Sequence, residues 1–290
     1  MITPYNREDI VHIGGVDHPE SLSVGPKGEV YTTGTGCQVY RVDLATNTAQ
    51  VFAQTENRCL GQSVDADGNL YCADCGGGRV LRVTPAGAIS TYATGPGGQP
   101  FVCTNYPAFD RLGNMYLSDS GDWSGEINGH IYRIQPGGGQ AELWFSDPVD
   151  TPNAIALDAG EQHLYFVETF GNGIARIGIQ PDGSAGAFER VVHMPRHIPD
   201  GIAFDAEGRL WIACHRPDAI YVFDLNSRRL ELFVEDWQGE ALRGPTDVAF
   251  AGPNRDIMLA ASLDNLCVHR LDSTGIQGLQ LNHPNIAWEE

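Results

Sequence analysis

Glu20, Asn105, Asn153 and Asp200 occupy one and the same position of a phrase that recurs through this 290-residue chain. Each stands eleven residues, or twelve for Asn153, ahead of the large residue that closes its phrase. Two carboxylates and two amides with no His or Cys among them form a donor set for a hard cation. Ca²⁺ takes about six to eight carboxylate, carbonyl and water oxygens in a flexible shell. Mg²⁺ or Mn²⁺ suits the same donors, while Zn²⁺ suits them less because it favours nitrogen and sulfur. The neutral amides leave coordination positions open for water and substrate. A cation so placed polarises a carbonyl or phosphoryl oxygen.

The phrase itself is a short apolar run, a small-residue turn and a second apolar run led by a large residue. It appears at residues 24–31, 64–71, 109–116, 157–165, 204–211 and 250–258, closing on Tyr31, Tyr71, Tyr116, Tyr165, Trp211 and Met258. The closing residues recur every 40 to 49 positions. Four short antiparallel strands with their turns need about that length, so the expected fold is all-β, a single six-bladed β-propeller. Third strands are expected at 38–42, 79–83, 130–134, 173–177, 220–224 and 267–271. Fourth strands are expected at 49–53, 89–93, 141–145, 188–192 and 230–234, with 277–281 a weaker candidate in the sixth repeat. The segment 9–13 precedes the first full repeat and is expected to pair with the last blade, since an open ring leaves raw sheet edges.

In this register the shared position begins the innermost strand of each blade, and equivalent ends of those strands lie on one face of the ring. Leu60 and Thr246 fill the position in blades two and six. A lone Asn or Asp at a strand start is commonly an Asx-turn residue; four at one register position point instead to one site on the axis. The second strand returns to the same face. Asp74, Asp119 and Glu168 near its end are therefore candidates to line a pocket or support the ligands, although solvated loop carboxylates answer the same description. Beyond Asp119, the loop 120–128 places Trp123 between Gly121 and Gly125 as a lid or pocket wall. Cys103, Asp119, Trp123 and His215 are candidate substrate contacts. For His215 and Arg216 the alternative is a surface pair.

Composition limits the partners. Eighteen basic and 37 acidic residues give a net charge of −19, which repels a phosphate backbone and disfavours nucleic acid. The chain shows no export signal and no apolar run of the roughly 18 residues that span a bilayer. The expectation is a cytoplasmic monomer or small homo-oligomer acting on a small molecule, with no membrane partner. Seven cysteines, an odd number without an export signal, read as reduced and buried. Cys72 and Cys75 form a CxxC inside a predicted strand, where residues three apart face opposite sides and share a metal poorly. Nucleotide-binding glycine motifs, GxSxG and HExxH are absent from the sequence.

Four segments, HPESLSV at 18–24, TNYPAFDRLG at 104–113, TPNAIALD at 151–158 and IPDGIAFDAEGRLWIAC at 198–214, resemble the gluconolactonase, senescence-marker (regucalcin) and luciferin-regenerating enzyme family. The resemblance spans residues 19–261. It implies a six-bladed propeller that binds one divalent cation on its axis and hydrolyses lactones, and the cation expected here is Ca²⁺. By matching segment, the implied metal ligands are Glu20, Asn153 and Asp200, and Asn105 is the polar residue that holds water or substrate beside the metal. Asp200 is then the candidate general base, with water on the metal, positioned by Asn105, as the alternative nucleophile. The chain departs from the sugar lactonases of the family in two places. Cys103 stands where they often carry an Arg, and Tyr106–Pro107 replace the usual Asp-Gly. The metal site thus carries over while sugar specificity does not. A phosphorus-ester hydrolase, a non-enzymatic calcium-binding propeller and a strictosidine-synthase-like enzyme are the competing readings.

Overall fold

The computed structural model describes residues 2–194 and 196–288. Six small antiparallel sheets are arranged as the blades of a ring. Blade one runs Leu22–Val24, Val30–Thr33, Gln38–Asp43 and Thr48–Gln54 from the inside outwards, and the next four blades follow the same order. Their innermost strands are Cys59–Val64, Thr104–Phe109, Pro152–Leu157 and Ile198–Phe204. Blade six takes Pro245–Ala251, Ile257–Ser262 and Cys267–Leu271 from its own repeat and borrows Val11–Gly14 as its outer strand. The predicted closure of the ring is thus present. The weaker candidate at 277–281 forms no strand, and only Gly278 makes a bridge, to Asp205. Blade three departs from expectation in its outer strand, which shrinks to Glu142–Leu143, while Gly139–Gln140 pair in parallel with the edge of blade two. The Gly137, Gly138 and Gly139 run, all at positive φ, redirects the chain there.

The repeated phrase explains the hairpins. In blades two, three and five the turn opens with Asp65, Asp110 or Asp205, and its Oδ1 accepts two backbone N–H groups of the turn at 2.8–3.0 Å. Gly113, three residues short of the closing aromatic in blade three, and its counterparts Gly68 and Gly208 in blades two and five hold the positive φ that these turns need. The closing residue then buries its side chain between blades. Tyr31, Tyr71, Tyr116, Tyr165, Trp211 and Met258 all have 4% exposure or less. Tyr71 Oη and Trp211 Nε1 donate to Asp65 and Asp205, each at 2.8 Å, so the turn aspartate also satisfies the buried polar tip of the closer. Tyr71 packs edge-on against Tyr92 and Phe109, and Trp211 against Phe233 and Phe250. Burial of one such side chain contributes about 2–3 kcal/mol.

The reading of all the cysteines as reduced is overturned. Cys75 lies just beyond the strand Leu70–Asp74 and forms a disulfide with Cys103, tying the upper rims of blades two and three. The sequence separation of 28 hid the pair, because only the ring brings the two loops together, with Cα atoms 4.5 Å apart. Cys59, Cys72, Cys214 and Cys267 are free and buried, as expected, and Cys37 is half-buried.

Candidate functional site

A kink in the sheet carries five of the six hub residues. In blades two to six the pairing of the first and second strands slips at the shared register position: between Cys59 and Gln62, Thr104 and Pro107, Pro152 and Ile155, Pro199 and Ile202, and Pro245 and Asp247. Bulges of this kind turn a side chain out of the regular alternation. Leu60, Asn105, Asn153, Asp200 and Thr246 sit in these slips. Glu20 precedes its strand, and Thr246 Oγ1 donates to its carbonyl at 2.7 Å. Asn105, Asn153 and Asp200 are 3%, 6% and 6% exposed, so none is a solvated surface group.

The amides are oriented by hydroxyls on the neighbouring strand ends. Asn105 Nδ2 donates to Ser120 Oγ at 2.8 Å, and Ser120 Oγ donates in turn to the Pro152 carbonyl at 2.8 Å. Asn153 Nδ2 donates to Thr169 Oγ1 at 3.3 Å. With each NH₂ held outward, Oδ1 of both amides has no hydrogen-bond partner among the described residues. The carboxylates follow the same pattern. Glu20 binds Arg58 through Oε2 at 2.6 Å, and Asp200 binds His215 Nε2 through Oδ2 at 2.8 Å. Their second oxygens, Oε1 and Oδ1, are likewise unclaimed among the described residues. Four side-chain oxygens on four blades thus remain without a partner among the described residues, a donor set that suits a hard divalent cation.

The charges at the site are coupled. Burial and the negative charge of Asp200 push Glu20 up to about 7, against the pull of Arg58 and His215. Burial opposes the charged form of His215, yet the Asp200 hydrogen bond and charge, with Glu20 and Asp218 beyond, raise its pKa above 6.5. A cation would relieve the repulsion between the two carboxylates.

Other sequence candidates fall elsewhere. Asp119 accepts from the backbone N–H groups of Val102, Cys103 and Gly121 at 2.8–3.1 Å, using both oxygens to fix the loops around it. Cys103 has its sulfur in the disulfide and accepts a 3.5 Å hydrogen bond from Trp123 Nε1. Both residues thus help to build the rim. Trp123 is half-exposed and meets Phe170 edge-to-face at 5.9 Å, giving an aromatic wall between blades three and four. Asp74 pairs with Arg79 and Glu168 with Arg190, at 2.9 Å each.

Arg58 and Asp247 escaped the sequence analysis, and Tyr106 entered it only as a departure from the family pattern. Arg58 stands two positions before Leu60, as Cys103 stands two before Asn105, so the guanidinium absent from blade three is supplied by blade two. Tyr106 and Asp247 lie deeper. Tyr106 Oη is 3.1 Å from Asp247 Oδ2 and 3.2 Å from the Leu22 carbonyl, so the ring spans the hub from blade three to blades one and six. Gly61 is required there, since an added Cβ would run into the Tyr106 ring. Asp247 also accepts from Leu22 N and Val248 N, and burial pushes it up to about 8. A separate cavity of about 320 Å³, lined by Tyr106, Phe109, Phe204 and Phe250, opens among the hairpin turns away from the oxygens.

A six-bladed propeller with carboxylate and amide residues at or just before the starts of its inner strands defines the class. The chain belongs to the SMP-30/Gluconolactonase/LRE-like family, whose model matches residues 35–264. Lactonase drp35 of Staphylococcus haemolyticus (strain JCSC1435) is 22% identical over 247 residues, covering 79% of this chain and 74% of that protein. Protein STRICTOSIDINE SYNTHASE-LIKE 13 of Arabidopsis thaliana is 28% identical over 192 residues, 61% of this chain and 47% of that protein. The solved structure of a calcium-binding protein, regucalcin, from Agrobacterium tumefaciens str. C58 superposes with a TM-score of 0.76 at 17% identity, covering 99% of this chain and 98% of that one.

Proposed function

We propose that the protein is a cation-dependent lactonase acting on a cyclic ester less polar than a sugar lactone. The observation that carries this reading is the set of four unclaimed oxygens, Glu20 Oε1, Asn105 Oδ1, Asn153 Oδ1 and Asp200 Oδ1. Calcium is the first choice for such donors, and the lactonase and calcium-binding relatives support it. A divalent cation held there supplies Lewis-acid polarisation of the ester carbonyl. The chain supplies the remainder. Arg58 keeps Glu20 oriented and places positive charge beside the developing oxyanion. Asp200 orients His215, whose imidazole takes a proton from the attacking water. Trp123 and Phe170 offer an apolar wall to the ring of the substrate.

The test is metal-depleted protein assayed on aliphatic, aromatic and sugar lactones, with Ca²⁺, Mg²⁺, Mn²⁺ and Zn²⁺ restored singly. Turnover returns best with Ca²⁺ and on the less polar esters. Asp200→Asn, with an unchanged circular-dichroism spectrum, loses about 100-fold or more in kcat. Full turnover after chelation removes the cation from this reading. Thermal stabilisation by Ca²⁺ without hydrolysis of any lactone or organophosphate leaves a calcium-binding propeller.

One observation favours a second reading. Arg58 already places a protein cation on Glu20, and His215, when protonated, places a second on Asp200, an arrangement that suits cation-independent chemistry in a strictosidine-synthase-like enzyme. Chelation separates the two.

A further inference from the structure

The strand that closes the ring brings three ligand-type side chains together far from the hub. His12 on Val11–Gly14 lies directly opposite His269 on Cys267–Leu271. Cys267 precedes His269 by two residues and therefore projects from the same face of its strand. His12 Nδ1 and His269 Nδ1 are 3.0 Å apart, and Cys267 Sγ is 3.8 Å and 3.7 Å from them. Cys267 and His269 are buried, whereas His12 is exposed, so solvent reaches the cluster from one side.

The surroundings fix the roles. His269 Nε2 faces the Leu242 carbonyl, which can only accept, so this nitrogen carries the ring proton and donates. Its Nδ1 is left with a lone pair aimed at His12 and Cys267. A carbonyl behind an imidazole is the usual support for a metal-binding histidine. Ser262 Oγ donates to the same carbonyl at 2.9 Å and holds it in place.

We infer that His12, Cys267 and His269 form a second metal site, selective for a thiophilic ion of the Zn²⁺ type, that clasps the N-terminal strand to blade six. Tetrahedral zinc, with bonds of about 2.0–2.1 Å to nitrogen and about 2.3 Å to sulfur, separates two nitrogens by about 3.3 Å and a nitrogen from a sulfur by about 3.6 Å. The separations in the cluster lie within a few tenths of an ångström of these values. Two imidazoles and one thiolate leave a fourth position, on the His12 side, for water. Binding releases the thiol proton of Cys267, and the proton of His12 moves to Nε2. The site is chemically separate from the hub, since oxygen donors there favour hard ions while nitrogen and sulfur favour soft ones. It requires no enzymatic activity of the protein.

Co²⁺ and Zn²⁺ titrations of the full chain test the assignment. Co²⁺ is expected to produce a thiolate charge-transfer band that saturates at one equivalent and persists in Asp200→Asn and in excess Ca²⁺. Cys267→Ser abolishes the band. His12→Ala, an exposed change on an outer strand, keeps the fold and weakens Co²⁺ binding at least about tenfold. Zn²⁺ raises the melting temperature of the wild type and of Asp200→Asn, and leaves that of Cys267→Ser unmoved. Absence of the band in the wild type, or an equal band in Cys267→Ser, overturns the site and leaves a hydrogen-bonded histidine pair.

Discussion

Tyr106 reaches across the hub from blade three to within 3.1 Å of the Asp247 carboxyl on blade six. The contact links the inner strands of blades three and six across the axis. Tyr106→Phe keeps the ring and removes its hydroxyl. The expected cost is about 1–2 kcal/mol, read from the urea midpoint, because a buried carboxyl loses one partner.

Asp247 gives stability a sign with pH. Its carboxyl titrates near 8 in the folded protein against an ordinary 3.8. Between these values the folded state holds a proton that the unfolded state has released, so the contribution of Asp247 is fully present below about pH 4 and is lost as pH rises towards 8. Asp247→Asn mimics the protonated group and removes this dependence. Urea unfolding at pH 5, 7 and 9 should show the wild type losing stability relative to the variant as pH rises. A constant difference between the two would refute the assignment.

Glu20 links cation binding to pH in the opposite sense. A proton on a carboxyl that titrates near 7 competes with the ion. Calcium affinity, measured by calorimetry, should fall as pH drops below about 7 and level off above about 8.

Arg58→Gln removes a positive charge from the edge of the proposed cation site. Calcium binding at pH 8 should tighten several-fold, since a repulsive charge is gone. Lactone turnover at saturating calcium should fall, because the same charge faces the reacting oxygen. Equal affinity in both proteins would show that the guanidinium does not act on the site.

The Cys75–Cys103 bridge closes a separation of 28 residues. A loop of that length corresponds to about 3–4 kcal/mol of restricted unfolded-chain entropy. The double variant Cys75→Ser/Cys103→Ser should lose an amount of this order in urea unfolding, and dithiothreitol should lower the wild type to the same midpoint.

Much of the architecture was legible because each repeat carries its own punctuation. The aspartate–glycine turns and the large closing residues set six hairpins in register, and that register singled out Glu20, Asn105, Asn153 and Asp200 without any contact being known. What escaped depends on the curvature of the ring. Arg58 becomes a neighbour of Glu20 only because blades one and two converge at the hub. Tyr106 stood out as a departure from the family pattern, but its partner Asp247 lies 141 residues away. The disulfide was hidden in the same way. The backbone hydrogen bonds of Asp119 were hidden too, because the face on which a strand ends says nothing about whether amides already occupy a carboxylate.

The outer strand of the sixth blade has a consequence for biosynthesis. Val11–Gly14 leaves the ribosome early, yet its partner Cys267–Leu271 emerges more than 250 residues later, as the separation of 257 between His12 and His269 records. Throughout translation the nascent chain carries a strand with nothing to zip against. A message truncated before codon 267 therefore yields no smaller toroid; it yields a gapped ring with two sticky flanks, an object for chaperones and proteases.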